Sequence, residues 1–210
     1  MSELQRVGQV VGTGGTLVPF TAGITGAQRV SDAHGRYFEA AIAGNTYKLS
    51  VAAGAATAYV GAAGGTPLLA IHNPPNSDVW LNLLMVGLGG RVASSLAGTV
   101  GFNLWGGPSA TPTGTMTAPT NLKSLSAAGA AALGFSNAAL TGSTALGLLL
   151  PLFTYYWATA AAAFAAPALF DVAGMVLLAP GNQVALGGTA ALTSATYDAS
   201  IIWEELPYRS

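Results

Sequence analysis

The scarcity of charge constrains this chain more than any other feature. No Asp, Glu, Lys, Arg or His side chain occurs in residues 124–170. In the whole chain 7% of the 210 residues are charged, whereas roughly a quarter is usual for a globular domain. Because charged groups hydrate the surface of a soluble monomer, we expect this chain either to enter lipid or to cover much of its surface with other protein.

A membrane span is the weaker of these two alternatives. Residues 145–170 are uncharged and exceed the roughly 20 apolar residues that a spanning helix needs. Pro151 and Pro167 would interrupt such a helix, however. The nearest basic residues, which would set its orientation, are Lys123 and Arg209. We therefore favour contact with protein and expect no membrane partner.

Charge and composition also exclude several other partners. The formal net charge is −1 and the seven basic residues are scattered, whereas binding to nucleic acid calls for a basic patch. The chain has no cysteine and two histidines, so it offers no disulfide, no thiolate site and too few histidines for a His-based zinc site. The first residues lack the basic start and apolar core of a secretory signal, so we expect the protein to stay in the compartment where it is made.

The sequence contains no motif that is typical of an enzyme. Residues 12–16 are rich in glycine but lack the Gly-Lys-Ser/Thr ending of a phosphate-binding loop, and there is no Gly-x-Ser-x-Gly turn for a nucleophilic serine. Glu204 and Glu205 are adjacent in a predicted strand, so their carboxylates point to opposite faces and cannot flank one glycosidic bond. We expect a protein that is not an enzyme and that needs no cofactor or metal.

Histidine and tryptophan give two weaker signals. His72 closes an apolar strand, and we interpret it as a core or edge histidine whose hydrogen bonds are satisfied. The four tryptophans, at positions 80, 105, 157 and 203, could line a sugar-binding groove, but the core of a β protein accommodates tryptophan as readily.

Short strands separated by turns of small residues dominate the chain from Tyr37 onward. Gly, Pro and Asn fill the intervening segments, among them a predicted turn at Gly87–Gly90, and supply the backbone conformations that tight turns need. Many short strands at fairly regular spacing are typical of a β-sandwich or barrel. The predicted strands are Tyr37–Ile42, Thr46–Val51, Pro67–His72, Val79–Val86, Thr99–Trp105, Ala145–Trp157, Val172–Leu178, Gln183–Gly187 and Asp198–Glu205. Residues 106–143 are predicted to be mainly loop, with either a short helix or more loop at residues 126–140.

The last predicted strand shows the clearest alternation of apolar and polar residues. One face carries Tyr197, Ala199, Ile201 and Trp203, and the other carries Asp198, Ser200 and Glu204. Ile202 is the one exception. This period of two predicts a strand with one buried face.

The N-terminal part of the chain differs in composition from the rest. Residues 1–30 are rich in Gly and Thr and cannot build a core, so we predict an extended arm that becomes ordered on another surface. A β-sandwich domain is predicted for residues 31–210. The candidate residues for contact with another protein or a neighbouring subunit are Arg29, Asp32, Arg36 and Glu39, which form a charged cluster, and Leu17 and Phe20 in the arm. The alternative for the charged cluster is that it only solubilises one face.

Three stretches of sequence together resemble a group of tailed-phage virion proteins. They are Ser31-Asp-Ala-His-Gly-Arg-Tyr-Phe-Glu-Ala with Gly44-Asn-Thr-Tyr, Ile71-His-Asn-Pro followed by Val79-Trp-Leu-Asn-Leu-Leu-Met-Val-Gly, and Ala179-Pro-Gly-Asn-Gln-Val with the closing Ile202-Trp-Glu-Glu-Leu-Pro. In this order they resemble small β-rich decoration, or cement, proteins of the capsid surface. The resemblance covers most of residues 31–207 in pattern. It implies an all-β, antiparallel and jelly-roll-like sandwich, commonly a homotrimer, on a lattice of major capsid protein, and it transfers no catalytic or ligand residue.

The expected function is therefore to clamp neighbouring capsid subunits at the surface of a virion that is assembled in the host cytoplasm. Within the virion, a tail, baseplate or host-recognition protein is the alternative. A membrane-embedded oligomer built around residues 145–170 is a more distant alternative.

Overall fold

The described part of the chain is almost entirely β structure. The computed structural model describes residues 9–11, 17–19, 37–55, 58–92, 98–127, 129–157, 167–191 and 195–207. The chain forms two compact units, Met1–Phe38 and Glu39–Ser210. In chain order the elements are β1 (Gln9–Val11), β2 (Leu17–Pro19), α1 (Phe38–Ala43), β3 (Thr46–Ala55), β4 (Leu69–His72), β5 (Val79–Val92), β6 (Gly98–Pro108), β7 (Thr120–Asn121), β8 (Leu133–Ser136), β9 (Gly147–Trp157), β10 (Ala168–Asp171), β11 (Leu177–Leu178), β12 (Asn182–Gly188) and β13 (Thr196–Pro207).

The strands of the second unit form two antiparallel sheets that pack face to face. Sheet 1 has the order β10-β5-β13-β3-β7, and β11 also pairs with β5. Sheet 2 has the order β8-β4-β12-β6-β9. In the first unit, β1 and β2 pair as a separate two-stranded antiparallel sheet. The predicted all-β sandwich is confirmed.

The pairing of the eight principal strands follows the order of a jelly roll. Strand β3 pairs with β13, β4 with β12, β5 with β10, and β6 with β9, so the first strand pairs with the last and the others nest inside. Such nested pairs are those of one long antiparallel hairpin that folds over so that its strand pairs divide between two sheets. The pairs β13–β5 and β12–β6 then join the nested hairpins into the two sheets.

The main core fills the space between the two sheets. Phe102 of β6 and Tyr197 of β13 come from opposite sheets, and their ring centroids lie 4.8 Å apart in an edge-to-face arrangement. Both side chains are completely buried. The two inner faces also contribute Leu49, Ile71, Leu81, Val86, Leu104, Val184, Leu186, Ile201 and Trp203. This burial of apolar area is the main driving force for the sandwich.

Strand β13 confirms the alternation that its sequence predicts. Tyr197, Ala199, Ile201 and Trp203 are all buried toward sheet 2, and Asp198 is exposed on the outer face. Ile202 also lies on the outer face, directly opposite Lys48 of β3. The same period places Glu204 and Glu205 on opposite faces, as predicted.

Three of the predicted elements are wrong. The segment Tyr37–Ile42 was predicted to be a strand, but the structure has helix α1 here, and the Glu and Ala residues in it favour a helix. Residues 87–90 were predicted as a turn, yet β5 continues through them because β13 and β10 bond to its two edges. The predicted strand Val172–Leu178 is interrupted by a turn in which Ala173 and Gly174 have φ values of 51° and 77°.

Residues 106–143 contain more regular structure than predicted. Strand β6 extends to Pro108, β7 adds an edge to sheet 1, and β8 adds an edge to sheet 2. No helix occurs among the described residues of the Ala-rich segment 126–140, and β8 occupies its end.

The alternative of a membrane span concerns residues 145–170, of which the structure describes 145–157 and 167–170. None of the described residues form a helix that is long and apolar enough to cross a membrane. Gly147–Trp157, at the start of the uncharged segment, is instead a strand of sheet 2. The arm predicted for residues 1–30 stays a prediction, since most of those residues lie outside the described ranges.

Candidate functional site: an uncharged half of the sandwich

Charge is divided unevenly between the two sheets. Nine charged residues fall in the described ranges, and each belongs to sheet 1 or to a segment that adjoins one of its strands in sequence. They are Glu39, Lys48, Asp78, Arg91, Lys123, Asp171, Asp198, Glu204 and Glu205. Within the described ranges, the strands of sheet 2 and the connections at residues 58–68, 109–119 and 137–146 contain none. We call this part of the molecule the uncharged half.

Connecting segments cover the central strands of sheet 2 on their outer face and enclose a second core. Tyr59, Phe135 and Leu140 pack there over two alanines, Ala70 and Ala185, on the central strands. The strands beneath these connecting segments need small residues, because a Cβ on Gly187 would lie 2.6 Å from the ring of Tyr59. The uncharged half therefore presents a layer of loops to its surroundings rather than an open sheet.

Backbone hydrogen bonds fasten this layer of loops. The Tyr59 N–H donates to the Gly188 carbonyl at 2.8 Å, and the Leu146 N–H donates to the Gly61 carbonyl at 2.7 Å. Thr113 and Thr141 exchange backbone bonds at 2.8 and 3.0 Å. Paired loops lose little further conformational entropy when a partner binds, which favours a preformed interface.

A large apolar side chain, that of Met116, is exposed at the β8 edge of the uncharged half. Met116 is 64% exposed, and its backbone bridges to Phe135 of β8. Its neighbour Thr117 donates a backbone hydrogen bond to Gly134 of the same strand at 2.8 Å. The Met116 side chain therefore projects from a fixed backbone.

An apolar cleft lies where the ends of β6, β9 and β12 meet residues 175–178, which include β11 of sheet 1. Its volume is about 330 Å³, and its walls include Leu149 of β9, Met175 before β11 and Leu177 within β11. All three of these side chains are exposed, Met175 by 72%. Gly107, Pro108, Val176, Leu178, Asn182 and Gln183 complete the lining. Contiguous exposed apolar surface of this kind commonly marks a contact with another protein.

Strand β9 is the one long edge strand in the described sandwich. It has 11 residues without a charge, whereas the other edge strands, β7, β8 and β10, have two to four. Pro151 lies within it, opposite Asn103, and its register with β6 shifts twice. Proline and bulges are ordinary protections of an edge strand against unwanted pairing.

His72 lies beneath the loops and corrects one prediction. It is fully buried, as expected of a core histidine, but neither ring nitrogen has a hydrogen-bond partner. Its cross-strand neighbour Gln183 is buried and also lacks partners for its side-chain amide. Burial lowers the pKa of His72 from 6.5 to about 4 and raises the pKa of Tyr59 to about 12. Both groups are therefore neutral at pH 7, so the uncharged half has no charge from either of them.

The residues that carried the resemblance have structural roles in this fold. The Asn73 side-chain amide donates to the Val79 and Leu178 carbonyls at 2.8 and 3.1 Å, which joins three segments of chain. The buried Glu205 carboxylate accepts bonds from the Ala131 and Ala132 N–H groups and from the Trp203 indole, at 2.9 to 3.3 Å. None of these groups faces an open site.

A wide groove crosses the outer face of sheet 1. It measures about 730 Å³, and small residues form much of its floor, among them Gly87, Gly89 and Ser200. The exposed side chains of Leu169 and Asp198 stand in it. A Cβ on Gly87 would lie 2.6 Å from the Ser200 hydroxyl. The close approach of Ser200 on the neighbouring strand therefore favours glycine at position 87.

Most of the predicted contact residues cannot be placed. Arg29, Asp32, Arg36 and Phe20 lie outside the described residues. Leu17 begins β2 and Glu39 lies in α1, and only their backbone positions are described. Sequence reasoning missed the uncharged half as a surface. The signal was present in the sequence, because the charge-free runs at residues 49–77, 92–122, 124–170 and 172–197 supply every strand of sheet 2.

The part of the chain that the structure describes forms no metal site and no tryptophan-lined groove. Among the described residues no three His, Asp or Glu side chains group as metal ligands. Trp203 lies in the main core, Trp105 on the outer face of sheet 2 and Trp80 on sheet 1, so these three tryptophans line no common groove. Comparison with protein-family models, with curated proteins and with solved structures finds no match to this chain.

Proposed function

We propose that this protein is a non-enzymatic structural protein of a tailed-phage virion, which decorates and stabilises the capsid as a homotrimer. The observation that carries the proposal is the uncharged half of the sandwich. Obligate interfaces are depleted of charge and resemble a core cut in two. An uncharged, preformed layer with exposed apolar side chains has the character of a surface that remains covered in the assembled particle.

The jelly roll supports the same proposal by analogy of fold. Jelly rolls with two nested Greek keys recur in viral capsid proteins, although lectins and cupins share them. Fold alone does not establish function. The analogy adds weight here because the sequence motifs at residues 31–47, 71–87 and 179–207 resemble virion proteins independently of the topology.

The proposed mechanism is clamping. One trimer contacts several capsid subunits, so expansion or rupture of the lattice must first break those contacts. At roughly 25 cal/mol per Å², burial of even 2,000 Å² of apolar area per subunit contributes tens of kcal/mol before the opposing cost of association. That stabilisation would be sufficient for a permanent assembly.

The N-terminal arm and the charged cluster have a proposed place in this mechanism. Residues 1–30 would lie on the capsid or on a neighbouring subunit, where an extended segment can add backbone hydrogen bonds to a sheet edge. Arg29, Asp32, Arg36 and Glu39 would contact the major capsid protein. A variant that lacks residues 2–28 should remain a folded trimer and bind capsids poorly. Full decoration of particles by this variant would show that the arm has no such role.

The decisive experiment counts copies on the particle. Undecorated capsids are incubated with purified protein, separated on a density gradient, and the bound protein is quantified against the major capsid protein. We expect hundreds of copies per particle and greater resistance of decorated capsids to heating. A few copies at one vertex would indicate a tail or host-recognition part instead, and no binding would overturn the proposal.

A further inference from the structure

Three polar side chains lie close together on the outer face of sheet 2. His72 of β4 and Gln183 of β12 stand directly opposite each other in neighbouring strands. Their chain neighbours Ile71 and Val184 belong to the main core, so His72 and Gln183 point to the other face, beneath the layer of loops. Trp105 of β6, the next strand along, lies on the same outer face. These three side chains form one polar group within the second core.

The polar atoms of this group are buried and unsatisfied. Both ring nitrogens of His72, both amide atoms of Gln183 and the indole nitrogen of Trp105 have no hydrogen-bond partner in the part of the chain that the structure describes. His72 is 0% exposed and Gln183 is 1% exposed. Buried polar groups are nearly always hydrogen-bonded, because an unsatisfied group has given up its bonds to water and gained none in return. Five such atoms on one face therefore point to a partner other than the protein chain.

The spacing of the side chains leaves room for such a partner. Opposite residues in an antiparallel pair have Cβ atoms about 4.5–5.5 Å apart, yet no hydrogen bond joins His72 to Gln183. Gly107 lies opposite Gln183 on its other side, and a Cβ on this glycine would meet no atom within 4 Å. Gln183 and Gly107 also line the apolar cleft, so solvent reaches the strand ends beside the buried pair.

We propose that His72, Gln183 and Trp105 bind about two ordered water molecules between sheet 2 and its layer of loops, since a buried water commonly makes about three hydrogen bonds. Water matches the mixed chemistry of the site. It can donate to the Gln183 carbonyl and to the unprotonated ring nitrogen of a neutral His72, and it can accept from the indole N–H of Trp105. Side chains as enclosed as His72 and Gln183 suit a ligand of this size rather than a larger one.

These waters would be part of how the loops are held. Ala70 and Ala185 lie on the same two strands as His72 and Gln183, and the loops pack over both alanines. The layer of loops would therefore rest on apolar contacts at one level and on bridging water at the next. When the layer lifts, groups that water already satisfies lose no hydrogen bond to another protein group. Hydration at this level thus favours local opening of the loops, and it does so whether or not the protein decorates capsids.

The number of long-lived waters tests the proposal. Magnetic relaxation dispersion of the solvent nuclei counts the waters that remain in a protein for longer than its tumbling time. His72→Leu and Gln183→Met, combined in one chain, remove the polar atoms while roughly keeping side-chain volume. We expect this double variant to hold about two fewer long-lived waters than wild type. Ser200→Ala, which removes a hydroxyl from the outer face of sheet 1, should change the count by none. Equal counts in wild type and the double variant would overturn the proposal.

The position of the waters is tested on the wild-type protein alone, so this second test remains valid if the double variant does not fold. A crystal structure that resolves individual waters should show density about 2.7–3.2 Å from the ring nitrogens of His72 and from the Gln183 amide. A direct hydrogen bond between His72 and Gln183, with no water beside either side chain, would overturn the proposal. Neither result alters the expected copy number on capsids, so the two proposals can fail separately.

Discussion

The two sheets of this sandwich share one core but differ in their outer faces. Sheet 1 exposes its outer face, with small residues around a wide groove, and all of the described charge lies in its strands or in segments that adjoin them in sequence. Sheet 2 carries no charged residue and is covered by loops with a second core of their own. The difference teaches that a small number of charged side chains need not be spread evenly over a protein. When they are concentrated on one sheet, they can hydrate one side of the molecule and leave the other side free for contact with protein.

The largest expected effects compare the main core with the second core. Phe102 and Phe135 are both buried, but Phe102 lies between the sheets and Phe135 lies under the loops. Phe102→Ala should lower the free energy of unfolding by about 3–5 kcal/mol, since it leaves a cavity in the main core. Phe135→Ala should mainly speed hydrogen exchange in residues 58–68 and 137–146, because the loops can open locally.

Urea unfolding at one fixed protein concentration, with hydrogen exchange on the same samples, measures both effects. Equal losses of global stability in the two variants, with no local change in exchange, would show that the two cores unfold together. That result would contradict our interpretation that the second core can open while the main core stays folded.

A second expected effect concerns the one histidine of the uncharged half. The pKa of His72 is lowered from 6.5 to about 4 in the folded protein, so the unfolded chain binds the proton more tightly. The contribution of His72 to the free energy of unfolding is therefore fully present above pH 6.5. It decreases as the pH falls from 6.5 toward 4, by about 3 kcal/mol in total. Because carboxylates titrate in the same range, the quantity to measure is the difference in unfolding free energy between wild type and His72→Gln. A difference that stays constant from pH 8 to pH 4 would contradict the burial of a neutral imidazole.

A smaller effect is expected at the end of sheet 1, where two adjacent glutamates differ in environment. Glu205→Ala leaves the Ala131 and Ala132 N–H groups and the Trp203 indole without their acceptor, so we expect a loss of about 2 kcal/mol in stability. Glu204→Ala, on the outer face, should change stability by less than about 0.5 kcal/mol. Thermal unfolding of the two variants side by side measures this contrast. Similar melting temperatures would show that the buried carboxylate contributes no more than its solvated neighbour.

Sequence reasoning predicted the fold where local pattern and tertiary environment agree. Strand β13 alternates in sequence because one face meets sheet 2 and the other meets solvent, so its period of two could be detected. The central strand β12 is buried on both faces, and its apolar run was also identified as a strand. The second core could not be predicted, since Tyr59 and Leu140 come from two separate connections and Phe135 from the short edge strand β8, and only the folded sheet brings them together.

The errors have equally physical causes. Residues 87–90 contain three glycines, which favour a turn locally, but pairing with β13 along all four residues, and with β10 at the first two, holds them extended. The uncharged half was visible only as scattered charge-free runs, because the order of strands in a jelly roll alternates between sheets along the chain. Which sheet a charge joins depends on that order, and no local pattern contains it.

The nesting of the strands also sets when the domain can finish folding during synthesis. Strand β3 leaves the ribosome before the other described strands of the sandwich, but its partner β13 follows about 150 residues later. At 5–20 residues per second, roughly 8–30 s pass before the pair can form. During that interval the edges of β3 and β5 that pair with β13 have no partner, and long-range pairing of this kind forms slowly. An incomplete chain of this protein would thus expose strands with few charges to protect them, which makes premature termination a greater hazard for it than for a fold with local pairing.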